Sequence, residues 1–535
     1  ARPWPESEAK RGAESGRDRG IQRVRGIRRA TRGHVPPLPL TKASMTLSAR
    51  RQPADSPTTS PRLPREALLI VEALLVVVVI AASVMSAYGV LWNDTKVRLL
   101  PIAAVVGVGL AVLALTRFSW FVLLLLAIRP ILDAVKISGS ASGTSAGNTV
   151  ADRGADPSAI IVVLFLLAAI LWFAGLIARG AAKPLSLLSW ALVSFGVTAY
   201  LSLLGSEFPQ STALEALRIT SVILMFLVLE QLISSRATLI RLLSACYVGL
   251  LFPIVYTVGG VVFGYDVYEV QGSLSRLSGP FSQSNIFARY LAFLVIFAVA
   301  ILPYVKRRWW WPLLLLLSVA VILMALTVTL TALVGTVLAI ALLGHLQRRN
   351  GLWLGLIVVG ISSLAVLPGL LGRLESLDNT RQLGGAASGS SLTWRLQYWL
   401  EVLPLANRNP ITGIGLTGTQ YLTSEEKQPH NDFIRAYVET GVIGLITYLL
   451  LLVALVLTVR LALRRAQPAT FDHAVAAGAA AVVVAFVSNS VFANVMSNVV
   501  CLWYVIAFAA AANYIARGEP AGRRPASANA ALAPG

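Results

Sequence analysis

The residues of this chain that could do chemistry lie in one polar segment, residues 391–449, that interrupts an almost continuously apolar sequence. The segment contains Arg395, Gly413, Gly415, His430 and Asn431. Only four histidines occur in the chain, and His430 alone lies in this segment. An imidazole exchanges protons near neutral pH. His430 is therefore the candidate for acid–base chemistry, and the alternative is a surface histidine without a task.

The residues around His430 favour the start of a helix. Proline is tolerated at the first position of a helix, and acidic residues favour its amino end. Pro429 before His430 and Asp432 after it fit this pattern. The pattern predicts that His430 and Asn431 lie in the first turn of a helix that continues beyond Gly441.

Arg395 belongs to a second short helix. Ser391 can cap this helix, and the spacing of Trp394 and Tyr398 puts both on one face, with Arg395 and Trp399 on the neighbouring stripe. Such a helix suits the membrane interface, where a planar guanidinium offers several donors to phosphate oxygens. The alternative is an arginine that only anchors the helix at the interface.

The composition excludes an ordinary soluble protein. Hydrophobic residues make up 56% of the chain, charged residues 13%, and the mean hydropathy is +0.72. Recurring apolar runs predict an all-α, polytopic membrane helix bundle of about 12–14 spans, with one long extracytoplasmic loop that contains short helices. The first span is expected near residues 67–90 and the eleventh near residues 352–372.

The distribution of Lys and Arg predicts the orientation. With the amino terminus in the cytoplasm, every inner loop is basic, as the positive-inside rule requires. Both termini are then cytoplasmic, and the polar segment faces outward. The expected divisions are a basic tail (1–65), eleven membrane helices (66–372), the extracytoplasmic catalytic loop (373–438), three further membrane helices (439–516) and a short tail (517–535).

The formal net charge of +20 does not indicate nucleic-acid binding. Half of this charge comes from residues 1–65, which contain 15 Lys and Arg and 5 Asp and Glu. These residues are also rich in Pro, Ser and Gly. Such a composition is typical of a solvated tail or of a tail that lies on the lipid surface. The two cysteines, Cys246 and Cys501, fall inside predicted spans. This position argues against a disulfide framework and against a cysteine-rich metal site.

A set of short motifs resembles the signature region of the O-antigen ligase and polysaccharide polymerase superfamily. Weaker similarity comes from Arg276, Gly279-Pro280-Phe281 and Asn285, and from Arg129-Pro130. The central motifs, in chain order, are Arg395 with Trp399, Pro410, Gly413 and Gly415, His430-Asn431, and Glu439-Thr440-Gly441-Val442-Ile443-Gly444.

The resemblance implies a bacterial multispan glycosyltransferase in the cytoplasmic membrane. Such enzymes move a glycan from a polyprenyl diphosphate carrier to a hydroxyl of a glycan or lipid acceptor, as ligases or polymerases, without a metal or cofactor. Donor, acceptor and membrane lipids are the expected partners, and nucleic acid is not. His430 and Arg395 are the positions that inherit the family's functional roles.

One departure from the family pattern concerns an arginine. Many members carry Ser-Arg-Gly at an outer turn before a span, where this chain has residues 329–332, Thr-Leu-Thr-Ala. Arg276, Arg289 or Arg218 is expected to supply the positive charge instead. Arginines 218 and 289 lie in the outward halves of predicted spans, and charges inside a membrane are functional candidates.

The implied reaction needs two kinds of group. Negative charge grows on the departing diphosphate, and the attacking hydroxyl must lose a proton. Arginines meet the first need, while His430 or Glu439 could accept the proton. Asn431, Trp399 and Tyr437 are further substrate-binding candidates of the same segment.

A transporter or flippase for a lipid-linked or small anionic substrate is the alternative, because many spans are also typical of transporters. Transporters place their sites near the middle of the membrane, often on broken helices in two related halves. This sequence shows no such symmetry. Its polar residues concentrate in one segment, which favours catalysis at the membrane surface.

Overall fold

The computed structural model of the protein describes residues 95–137, 157–271, 274–349, 351 and 392–518. The spans expected near residues 67–90 and 352–372 lie outside these residues, and so does the basic tail 1–65. Ser391, the expected cap of the Arg395 helix, is also outside them.

Helices make up almost all of the described structure. They are α1 Thr95–Thr116, α2 Phe118–Ile137, α3 Pro157–Ala178, α4 Leu187–Leu201, α5 Pro209–Leu232, α6 Arg236–Phe263, α7 Ser284–Ile301, α8 Arg307–Leu326, α9 Leu330–Gln347, α10 Leu392–Val402, α11 Gly418–Leu422, α12 Asp432–Arg465, α13 Phe471–Ser490 and α14 Val499–Arg517. Short 3₁₀ helices cover Ser202–Gly205, Leu302–Tyr304, Leu403–Arg408 and Val495–Ser497.

The predicted all-α polytopic bundle is confirmed. Among the described residues, ten helices are long and apolar enough to cross a membrane, and the described parts of α1 and α2 contain two shorter apolar stretches. One small feature was not predicted: β1 Tyr268–Gln271 pairs antiparallel with β2 Leu274–Leu277 between α6 and α7. Aromatic and β-branched residues in this connection suit a short hairpin.

Helices α7, α13 and α14 form the centre of the bundle, and most of their residues are buried. Helix α13 packs on α7, α9, α12 and α14. Its alanine-rich sequence, residues 474–481, lets neighbouring backbones approach closely, as small residues do in membrane bundles. Phe297 on α7 and Phe508 on α14 stack with ring centroids 4.0 Å apart.

Helix α12 begins later than the pattern around Pro429 predicts. Asn431 is the amino-terminal cap, and its side chain accepts hydrogen bonds from the backbone N–H groups of Phe433 and Ile434. His430 therefore precedes the helix, with a left-handed φ of 54°. The expectation that Pro429 occupies the first helical position is wrong, because the Asn431 side chain satisfies the free N–H groups two residues further on.

Candidate functional site

Two glycines hold the polar segment onto the kink of α12. Gly441, in the kink, has φ of 70°, and Gly413 has φ of 77°. A Cβ on Gly413 would lie 2.3 Å from the Glu439 backbone, and one on Gly441 would lie 2.1 Å from the Ile411 carbonyl oxygen. Backbone hydrogen bonds join Ile414 to Val438 and Gly415 to Glu439 across this contact. The close approach requires glycine.

Helix α10 fixes the loop that carries His430. Trp394 and Tyr398 are fully buried and stacked, with ring centroids 5.0 Å apart. The Tyr398 hydroxyl donates to the Lys427 carbonyl, and the Trp399 indole N–H donates to the Pro429 carbonyl at 2.6 Å. Helix α10 thus holds the backbone on both sides of Gln428 and orients the residue that follows Pro429.

His430 faces cationic side chains. Its ring lies 6.0 Å from the Trp394 ring. Burial, together with the nearby positive charges of Arg395, Arg289 and Lys427, lowers the pKa of His430 to about 3. The imidazole is therefore neutral at neutral pH. We call His430, Arg289, Arg395 and Lys427 the histidine cluster.

Arg289 is the most unusual member of the histidine cluster. It lies in the second turn of α7 and is 4% exposed. It makes no hydrogen bond or ion pair with any residue that the structure describes, and its Nε is fully enclosed. Asp432 is a nearby acidic residue but forms no ion pair with Arg289, and a buried guanidinium without a direct partner is costly. Arg289 is thus a candidate for binding an anion.

A second group of charges surrounds Arg435 in the first turn of α12. Arg435 donates from Nη2 to Glu215 at 3.0 Å and from Nε to Glu439 at 2.8 Å. Arg218 pairs with Glu215 at 3.2 Å, and the Thr419 hydroxyl donates to Glu439. We call Arg218, Glu215, Arg435 and Glu439 the ion-pair network. Its two positive and two negative charges balance.

The start of α12 is tied to the Val495–Ser497 turn. The Asp432 carboxylate accepts hydrogen bonds from the backbone N–H groups of Val495 and Met496. Arg435 donates to the Ser497 hydroxyl, which in turn donates to Gln428. These bonds join α12, the Val495–Ser497 turn and the His430 loop into one support for both charged groups.

Arg276 lies at the Thr327–Thr329 turn before α9. It is 1% exposed and donates to the Thr327 carbonyl at 3.0 Å, to the Thr329 hydroxyl at 2.9 Å and to Asn285 at 2.7 Å. A guanidinium therefore does reach this turn, from the β2 strand. Its donors bind the turn itself.

The structure thus separates the residues predicted from sequence. His430, Arg395 and Arg289 come together, with Trp399 supporting the loop. Glu439 and Arg218 lie in the ion-pair network, Asn431 caps α12, and Arg276 binds the turn before α9. Tyr437 packs against the buried cluster around Trp394 and Tyr398.

Sequence reasoning missed Arg435, Lys427 and Glu215. Arg435 could have been found, because it falls one helical turn before Glu439, the spacing of an intrahelical ion pair. Glu215 lies three residues before Arg218, but its contact with Arg435 had no sequence signal, because 220 residues separate the two. Lys427 could have been noticed only as a basic residue three positions before the histidine.

Comparison with known proteins finds one family. The model of the O-antigen ligase family matches residues 319–449, which include the end of α8, then α9, α10, α11, the His430 loop and the first half of α12. A search of curated proteins finds no match. The matched region holds His430, Arg395, Lys427, Arg435 and Glu439. The match over these residues supports the O-antigen ligase and polymerase superfamily for this chain.

Proposed function

We propose that the protein transfers a glycan from a polyprenyl diphosphate carrier to a hydroxyl of an acceptor, on the outer face of the cytoplasmic membrane. The family match supports the ligase or polymerase class. The observation that carries the finer proposal is the histidine cluster, in which a neutral imidazole faces Arg289, Arg395 and Lys427. A diphosphate carries negative charge and several acceptor oxygens, which are what these cationic donors bind.

Arg289 is the proposed centre of the diphosphate site. Its burial without a direct ion pair disfavours the empty site, and a bound diphosphate would offset that cost. Arg395 adds a second guanidinium. Lys427 is already paired with Glu425 at 3.3 Å, so its contribution to anion binding is the smaller one.

His430 is the proposed base. The acceptor oxygen bonds to the anomeric carbon, the bond from that carbon to the diphosphate oxygen breaks, and the acceptor proton moves to the imidazole. The leaving diphosphate keeps the bonding electrons and stays beside the arginines. A bound diphosphate also offsets the positive charge around His430. The pKa of His430 then rises from about 3 toward its ordinary value, and the imidazole becomes a stronger base.

Glu439, the alternative base in the sequence, is better suited to positioning. It is fully buried, one carboxylate oxygen accepts from Thr419, and the other accepts from Arg435. We assign to it the task of holding Arg435. Asn431 and Trp399 hold the backbone around His430, and Tyr437 supports the packing beneath it.

The test uses the full chain in lipid nanodiscs with a polyprenyl diphosphate-linked oligosaccharide and an acceptor glycan. His430→Ala, Arg289→Gln and Arg395→Ala should each lower the yield of joined product by at least about 100-fold. His473→Ala and Arg241→Ala are matched controls, because His473 lies at the opposite end of the bundle and Arg241 is exposed on α6. Both controls should keep the wild-type rate.

Two results would contradict the proposal. Wild-type turnover in the His430 and Arg289 variants would remove the histidine cluster from the reaction. Movement of labelled lipid-linked substrate across the bilayer without any joined product would favour transport instead.

A further inference from the structure

A small polar pocket adjoins the ion-pair network and carries features of a ligand site. Its volume is about 120 Å³, and it lies between the start of α5, helix α11 and the His430 loop. Eight of its nine lining residues are polar or aromatic: Ser211, Glu215, Arg218, Thr417, Gln420, Tyr421, Gln428 and Ser497. A larger cavity of about 490 Å³ lies at the opposite end of the bundle, near Arg517, away from the family's matched loop.

Thr417 is strained and unsatisfied at the wall of this pocket. Its φ is 65°, in the left-handed region that a β-branched residue rarely adopts. It is 8% exposed, and its hydroxyl makes no hydrogen bond with any residue that the structure describes. Backbone strain of this kind is frequent at ligand-binding sites. A buried hydroxyl without a hydrogen-bond partner also destabilises the folded protein. A ligand in the pocket would supply that partner.

Tyr421 provides a fixed aromatic face at the rim. Its ring stacks on Phe208 with centroids 4.5 Å apart and an angle of 26° between the planes. Its hydroxyl bonds to Ser211 at 3.0 Å, so the ring is held at both ends. The side chain is nevertheless 41% exposed. An exposed, immobilised ring suits the apolar C–H face of a sugar.

The charge of the pocket differs from that of the histidine cluster. Arg218 is half exposed, but Glu215 is bound to it and to Arg435, and the network has no net charge. The positive charges here are already paired with carboxylates, so the pocket offers no free positive charge to a diphosphate. The pocket instead offers hydrogen-bond donors on Arg218 and both donors and acceptors on Gln420 and Gln428, in addition to hydroxyl groups. These groups match the hydroxyl groups of a neutral saccharide.

We propose that this pocket binds a neutral saccharide of the acceptor glycan. The proposal rests on the proposed function, in which an acceptor hydroxyl must reach His430. Gln428 lines the pocket and lies two residues before His430 on the same loop. The pocket therefore holds the acceptor on the loop that carries the base, while the histidine cluster holds the donor diphosphate.

Binding without donor tests this assignment. Full-length protein in nanodiscs is titrated with neutral oligosaccharides of about four to six sugars, released from the surface polysaccharide of the source organism, and with inorganic diphosphate in parallel. Saturation-transfer NMR reports binding. Tyr421→Ala, Gln420→Ala and Thr417→Val should each raise the oligosaccharide Kd by about tenfold, the loss of one or two good contacts. Diphosphate binding should not change.

Several controls keep the outcomes distinct. Tyr268→Ala removes a tyrosine of similar exposure, 45%, on β1 and should leave both Kd values unchanged. Thr417→Ser keeps the hydroxyl and should bind oligosaccharide like the wild type, while thermal unfolding shows whether each variant is folded. His430→Ala should bind oligosaccharide normally.

The result that would overturn the proposal is an oligosaccharide that does not bind the wild type, or that binds the pocket variants equally well. Loss of diphosphate binding in the same variants would make the pocket part of the donor site. If oligosaccharide binding depends on Tyr421 but no transfer occurs in the nanodisc assay, the subsite stands and the proposed function fails.

Discussion

Arg435 and Glu215 form an ion pair, with 3.0 Å between Nη2 and Oε1, although 220 residues separate them in the chain. Both side chains are 4% exposed. Arg435 stands one helical turn after the start of α12, and Glu215 stands on α5. The pair therefore fixes the helix that follows the His430 loop against a helix outside the region that the family model matches.

Removing Glu215 should destabilise the protein strongly. Glu215→Ala leaves Arg435 buried with Glu439 as its remaining acidic partner, and breaking a buried pair from one side costs about 3–5 kcal/mol. The exposed pair Arg408–Glu207, at 2.9 Å, is the matched control. Glu207→Ala should cost at most about 1 kcal/mol. Chemical unfolding in detergent measures both, and equal effects of the two substitutions would contradict the assigned importance of the buried pair.

His430 should titrate far below an ordinary histidine. Burial and the cations of the histidine cluster lower its pKa to about 3. With only four histidines in the chain, ¹⁵N-labelled imidazoles can be assigned by substitution. The His430 signal should stay that of a neutral ring down to about pH 4. Arg289→Gln removes one cation and should raise the pKa, as should added inorganic diphosphate. A wild-type midpoint near 6.5 would refute the described environment.

The same shift predicts the pH dependence of stability. The unfolded chain binds a proton at His430 below about pH 6.5, whereas the folded protein does not until about pH 3. Stability should therefore fall as pH decreases from 6.5 toward 3. His430→Gln removes this contribution, so its unfolding temperature should fall less steeply over this window. Parallel curves for the wild type and the variant would show that His430 does not titrate as described.

The contrast between Arg435 and His430 shows what sequence reasoning could reach. Hydropathy alone predicts the membrane bundle, because an apolar run long enough to cross the bilayer can satisfy its backbone hydrogen bonds there as a helix. His430 and Arg395 stood out because their motifs are local. The partner of Arg435 could not be predicted, because Glu215 lies on another helix and only tertiary packing brings the two together. The role of Arg276 was likewise hidden, since its contacts depend on a hairpin that apolar periodicity does not indicate.

Adding a methyl group at Gly413 should disrupt the docking of the loop on α12. Gly413→Ala puts a Cβ 2.3 Å from the Glu439 backbone and forces a left-handed φ on alanine. The two effects together should cost about 2–4 kcal/mol and should abolish transfer. Gly109→Ala is the control, because nothing lies within 4 Å of its Cβ position. Unfolding and proteolysis of the loop report the difference, and a Gly413→Ala variant as stable as Gly109→Ala would count against the contact.

Trp399 should act through the backbone next to His430. Trp399→Phe keeps an aromatic ring but removes the donor to the Pro429 carbonyl at 2.6 Å. Loosening this support should lower kcat by about tenfold, because misplaced catalytic groups lose rate more than affinity. The KM for the donor should change little. Trp190→Phe, on an indole that is 58% exposed, is the control. A change in KM alone would indicate that Trp399 contacts the substrate directly.

Arg276 distinguishes positioning from direct substrate binding. Its Nε and Nη2 donate to the Thr327–Thr329 turn and to Asn285, and the side chain is 1% exposed. Arg276→Lys keeps the charge but cannot reproduce several planar hydrogen bonds. It should therefore lower the unfolding temperature while leaving the donor KM within about twofold, since the loss of an internal bond changes stability rather than affinity. Arg289→Lys, in the histidine cluster, should do the reverse: unfolding stays near the wild type and the donor KM rises. An Arg276→Lys variant with normal stability and a raised donor KM would move this arginine into the donor site.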